Sequence, residues 1–208
     1  MAIAYAVVAE VVDITADTPR SDDVFLVDTN VWFWTTYSRA ALAPAPPPHH
    51  KTKHYPEFLR RAMGVDAELL RCDLSVSELA HLIEKTEYDI FCQQTAYSGR
   101  PKDFRHTEAA ARTRVVAEIQ AAWGQVEQMS ADVVFQVDAA LGAAVLKQCA
   151  AACIDGYDAM MLYAAAQSGI RQVVSDDSDL CTVPGIQLFT ANRNVVQAAQ
   201  GAGRLISR

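Results

Sequence analysis

Three short apolar runs, each broken off by polar residues, constrain this chain more than any other feature. VFLVD (24–28), RQVVSDD (171–177) and IQLFTAN (186–192) have the pattern of strands buried on both faces of a parallel sheet, since a strand with one wet face would alternate. A further short strand is expected over 69–72. Helical stretches separate the runs. In TEAAARTRVVAEIQAAWGQVEQMS the apolar residues Val115, Ile119, Ala122, Val126 and Met129 recur at intervals of four and three, which makes one face of a long packing helix. Shorter helices are expected over 76–85, 138–150 and 158–167, the last closed by Gly169 as a left-handed cap. Parallel strands require crossovers and intervening helices supply them, so the expected fold is α/β: a three-layer α/β/α sandwich around a central, mostly parallel sheet.

At 208 residues the chain is of single-domain size and can bury a core without disulfides or structural zinc. The expected division is an N-terminal extension (1–22), one domain (23–192) and a helical C-terminal tail (193–208). Five cysteines (Cys72, Cys92, Cys149, Cys153, Cys181), odd in number and without C-x-x-C spacing, fit reduced thiols. The early apolar stretch AIAYAVVAEVV carries Glu10, lacks a basic start and runs into Asp13, which suits neither a signal peptide nor a membrane span. A cytoplasmic protein with no membrane partner is expected. The net charge of −7 argues against a protein that coats nucleic acid non-specifically, though not against a local basic patch. Two such patches are visible in stretches expected to be loops. One is the proline-rich 42–56 with Lys51 and Lys53, and the other is 95–106 with Arg100, Lys102 and Arg105.

The acids at the ends of these elements carry the chemistry. Asp28 ends the first strand, and Asp177 and Asp179 lie just past another. Glu78 and Asp158 begin helices. Ligands of open α/β sheets bind beyond the carboxyl ends of the strands, so these acids are expected on one rim. Each has a structural explanation when taken alone. Ser75 and Glu78 have capping-box spacing, Asp155 and Asp158 the relation of cap and first-turn acid, and SDDSD is ordinary turn composition. Together they are harder to explain, because two carboxylates ~5 Å apart repel by about 3 kcal/mol at an effective dielectric of 20. A hard divalent cation is the natural compensator, and oxygen donors without a matching His or Cys set favour Mg²⁺ or Mn²⁺ over Zn²⁺.

The strings VFLVDTNVWFW, SVSELAHLIEK, YDAMMLYAAAQSG and VVSDDSDL, in that order, resemble the four acidic motifs of the PIN-domain nucleases, including the VapC-type toxin ribonucleases. The resemblance spans roughly residues 24–190. It implies metal-binding and catalytic carboxylates at Asp28, Glu78, Asp158 and Asp177, Asp179 as a further metal ligand, and Asn30 and Ser175 as polar residues that orient them. It further implies Mg²⁺- or Mn²⁺-dependent hydrolysis of RNA, with Lys51, Lys53, Arg100, Lys102 and Arg105 as candidate RNA contacts. A cognate antitoxin protein and a homodimer are the partners such toxins would bring. The leader, the proline-rich insertion and the tail depart from the compact toxins.

Other residues read as structural. Trp32 and Trp34, two apart on the exit of the first strand, suit core or interface packing. His49, His50 and His54 suit a solvated loop, and His81 is assigned no contact with substrate. Two alternatives to a ribonuclease remain. A catalytically silent PIN-like scaffold would keep the fold and bind RNA or protein. A phosphohydrolase fits less well, because VDTNV lacks a second Asp two residues after Asp28.

Overall fold

The computed structural model describes residues 5–133 and 137–208. Six strands form a single sheet in which every pairing is parallel: β1 (Glu10–Asp13), β2 (Val24–Val27), β3 (Glu68–Cys72), β4 (Ala131–Val133), β5 (Gln172–Val174) and β6 (Gln187–Thr190). Their order is β1-β6-β5-β2-β3-β4. From β2 the chain steps outward through β3 to β4, then returns to the other side of β2 for β5 and β6. The sheet therefore has its topological switch point between β2 and β5.

Among the described residues seven α-helices lie between strands and an eighth follows β6: α1 (Thr29–Thr36), α2 (His49–Gly64), α3 (Ser75–Thr95), α4 (Pro101–Thr107), α5 (Ala109–Met129), α6 (Leu141–Ala151), α7 (Gly156–Gln167) and α8 (Arg193–Gly201). The apolar runs of the strands divide between two layers, as successive side chains on a strand must. Phe25, Val27, Val174 and Phe189 pack with Val31, Trp32, Tyr55, Phe58, Leu79 and Val126 on one face. Leu26, Val173 and Leu188 pack with Ala159, Leu162, Val195 and Ala199 on the other. The result is the three-layer α/β/α sandwich, and Gly169 takes the left-handed conformation past α7 with φ +71.

Four expectations are corrected. Within the N-terminal extension, residues 10–13 belong to the sheet. Glu10–Asp13 pairs with β6, and Leu205 bridges to Val11 on the outer side. Val11 and Val12 are wholly buried, one in each layer. The stretch 42–56 is a loop only as far as Pro48, after which α2 begins. Pro48 sits at the N-cap, where no amide need be donated, and Tyr55, Phe58, Leu59 and Ala62 form a buried stripe whose packing carries the helix through Pro56. The stretch 95–106 contains α4, started by Pro101 at its first position with the Asp103 carboxylate accepting from the Arg100 amide. Trp32 and Trp34 lie on a helix, α1, not on extended chain. Trp32 is wholly buried, and Trp34 packs 5.4 Å from the Tyr55 ring. No helix among the described residues is long and apolar enough to cross a membrane.

Candidate active site

Because all six strands are parallel, their carboxyl ends share one edge, and the chain leaves β2 and β5 on opposite sides of the switch point. A small crevice opens beside it, lined from the ends of β2 and β3 and the starts of α3 and α7. Asp28 follows β2 directly, and Ser175 to Asp177 follow β5. The two segments are tied together. The Asp28 amide donates to the Val174 carbonyl at 3.0 Å, and the Ser175 hydroxyl donates to Asp28 Oδ2 at 2.6 Å while accepting from the Asp177 amide at 2.9 Å. Asp177 Oδ1 in turn accepts from the Asp179 amide at 2.8 Å. Ser175 thus bridges Asp28 and the Asp177 backbone. Asn30, half-buried in the first turn of α1, makes no hydrogen bond to these acids among the described residues.

Glu78 and Asp158 arrive from two further helices. The capping box suggested by Ser75 and Glu78 does not form, since α3 starts at Ser75 itself and no side chain caps it. Glu78 is left free to face a small pocket that it lines with Asp28, Ser75, Tyr157 and Asp158. Asp155 is the cap of α7, accepting from the Tyr157 amide at 2.8 Å and the Asp158 amide at 3.0 Å. That arrangement aims the first turn of α7 at the crevice with the Asp158 carboxyl uncommitted.

The electrostatics show that the acids act on one another. Burial, and then the charges of Glu78 and Asp177, push the Asp28 carboxyl up to about 6, against the lowering effect of the Ser175 hydroxyl. Asp158 is pushed up to about 8, first by burial and then by Asp28, Asp155, Asp177 and Glu78. Asp179 is raised by burial and by Asp177. A set of exclusively carboxylate oxygens whose ionisation is mutually opposed suits a hard divalent cation in donor chemistry and in charge. Among the described residues, no three His, Cys, Asp or Glu side chains are already gathered closely enough to hold a metal. Repelling carboxylates stay apart until a counter-charge draws them in.

The basic candidates separate. Lys51 reaches the rim, 2.6 Å from Asp176 Oδ2 and over the Trp34 ring at 4.9 Å. Lys53 is exposed on α2 and Lys102 on α4. Arg100 is paired with Asp103 of its own helix and Arg105 with Glu84 of α3, so both already have acidic partners. Asp176, Tyr55 and Asn192 carry a role the motifs do not display. The Tyr55 hydroxyl donates to Asp176 Oδ1 at 2.7 Å and accepts from the Ala191 amide at 3.0 Å, and Asn192 Nδ2 donates to the Asp176 carbonyl at 2.9 Å. This network fixes the residue next to Asp177. Only the doubled Asp of SDDSD hinted at it.

The crystal structure of PAE2754 from Pyrobaculum aerophilum is similar, with a TM-score of 0.41 and 15% sequence identity over 90% of this chain and 96% of that one. No family model and no curated protein matches the chain.

Proposed function

We propose that the chain is a PIN-type endoribonuclease that hydrolyses RNA phosphodiester bonds with Mg²⁺ or Mn²⁺. The observation that carries this reading is that Asp28, Glu78 and Asp158 line one small pocket at the carboxyl edge of the sheet, with Asp177 tied to Asp28 through Ser175 and the ionisation of Asp28 and Asp158 opposed by their neighbours. Asp28, Glu78, Asp158 and Asp177 would hold the cation, with Asp179 beside them. Bound there, it supplies Lewis acidity at a phosphoryl oxygen and a lowered pKa for an attacking water. Ser175 holds Asp28 in its rotamer, Asp155 fixes the turn that presents Asp158, and the Tyr55–Asp176–Lys51 network holds the β5 exit in place. In this reading the protein works in the cytoplasm on RNA. As the toxin of a pair it would also meet a cognate antitoxin protein, or a second copy of itself.

The test is cleavage of a mixed RNA panel with Mn²⁺, Mg²⁺ or EDTA. Metal-dependent cleavage is expected, and Asp28→Asn and Asp158→Asn each reduce it by at least ~100-fold while the variants stay folded. The absence of an already closed metal trio favours one second reading, a silent RNA- or protein-binding scaffold. Parental cleavage in Asp28→Asn would sink the assigned site, and RNA binding without cleavage in any metal would leave the scaffold.

A further inference from the structure

A second opening lies on the same edge of the sheet, in parts of the chain that none of the four acidic motifs includes. It is a cavity of about 410 Å³ between the ends of β1 and β6, the start of α8 and the first turns of α2. Asp13, His50, His54, Arg193, Asn194 and Gln197 are among the residues that line it. Its size is that of a small organic ligand and far exceeds what a lone anion needs. The start of α8 is not an open anion site either, because Asn192 Oδ1 already accepts from the Asn194 and Val195 amides at 3.1 and 3.5 Å. What remains is heterocyclic and amide chemistry. His50 and His54 stand one turn apart on one face of α2, and the Asn194 and Gln197 side chains have no hydrogen-bond partner in the protein among the described residues.

The cavity is joined to the acid cluster. Asn192 lines it and donates to the Asp176 carbonyl, while Lys51, between His50 and His54 in sequence, is paired with the Asp176 carboxylate. Asp176 directly precedes Asp177. The cavity is centred on the β1/β6 side and the acids on the β5/β2 side, about two strand spacings or ~10 Å away. A stacked single strand covers that distance in about three nucleotides at 3.4 Å each.

We propose that this cavity holds one unpaired base of the RNA strand flanking the scissile phosphate. The base would be flanked by the His50 and His54 imidazoles and read at its edge by the Asn194 and Gln197 amides, with Arg193 beside its phosphate. Amide groups suit the mixed donor and acceptor edge of a base, and imidazoles suit its face. The proposal rests on the ribonuclease reading and names where that enzyme would obtain its sequence preference.

The test titrates AMP, GMP, CMP and UMP into the full chain in EDTA while the His50 and His54 imidazole resonances are followed by NMR. One nucleotide is expected to shift them more than the other three, and a short oligoribonucleotide is expected to displace it. Asn194→Ala with Gln197→Ala, both at exposed positions, should weaken that nucleotide at least ~10-fold. In cleavage it should raise KM with kcat held and relax the base preference beside the cut. Asp28→Asn should bind the mononucleotide as the parent does. Silence of both imidazoles to all four nucleotides overturns the proposal, as does a bound nucleotide that RNA cannot displace, which would mark a free-nucleotide site. Failure of the parent to cleave RNA would overturn the ribonuclease reading instead, because the titration does not depend on cleavage.

Discussion

Ser175 shows how one buried hydroxyl can set the behaviour of a site. Its proton goes to Asp28 Oδ2 and its lone pair receives the Asp177 amide, so it both orients Asp28 and opposes the burial that raises that carboxyl to about 6. In Ser175→Ala the Asp28 carboxyl should titrate higher still. The acidic limb of the pH–rate profile then moves to higher pH, and metal affinity or activity falls ~10- to 100-fold, the usual cost of losing a group that orients a ligand. A profile unchanged in position would show that Ser175 only fills space. Asp155 offers a second test at this scale, with two independent readouts. Asp155→Ala removes the cap of α7 and should cost about 1 kcal/mol of stability in denaturant titration. It also removes a negative charge that raises Asp158, so the Asp158 carboxyl should titrate lower.

Among the elements, α2 is the one whose role changes most between sequence and structure. Five prolines over 42–56 argue locally for a loop, yet four buried residues on one helical face outweigh the amide lost at Pro56. The helix brings Lys51 to Asp176, Tyr55 to the β5–β6 exit, and His50 and His54 to the second cavity. Tyr55→Phe keeps the ring in the core and removes the hydroxyl shared by Asp176, Thr190 and the Ala191 amide. It should cost about 1–3 kcal/mol by chemical unfolding, because buried partners are left unpaired. The loss should be accompanied by slower cleavage, since the β5 exit that carries Asp177 is loosened. Loss of stability with cleavage unaltered would confine Tyr55 to packing.

For the whole molecule, two groups of acids give stability opposite dependences on pH. Asp23 is buried, which raises it, but the Arg208 guanidinium at 2.5 Å, together with hydrogen bonds from the Arg20 backbone amide and the Gln172 side chain, leaves its carboxyl below the usual value. Its contribution is present above the unfolded carboxylate pKa and is lost as pH falls through the lower folded value. Asp28 and Asp158 have raised values, so the metal-free fold is favoured while they hold protons and loses that advantage as pH climbs through about 6 and about 8. The melting temperature in EDTA should therefore peak in mildly acidic solution and decline towards pH 9. Millimolar Mn²⁺ should abolish the alkaline decline by binding the native acids and not the unfolded chain. Asp158→Asn should flatten the decline without metal. A melting temperature independent of both pH and Mn²⁺ would remove the electrostatic basis of the site.

By itself the sequence determined what depends on neighbours along the chain. VFLV, QVV and QLFT are buried strands because each is a short run dominated by apolar residues, the Val115 to Met129 stripe has one helical period, and Asp28 and Asp177 follow strands while Asp158 opens a helix. That was enough for the layers of the sandwich and for the acids of the crevice. Tertiary structure decided what depends on partners distant in sequence. Glu10–Asp13 is a strand because β6 offers an open edge and Leu205 covers the other side, a pairing that no period within residues 1–22 encodes. Whether a basic residue is free or paired was also a long-range matter. Arg105 finds Glu84 and Lys51 finds Asp176 across gaps of 21 and 125 residues. The raised carboxyls of Asp28 and Asp158 belong to the same class, since burial and the field of neighbouring charges exist only once the chain has folded around them.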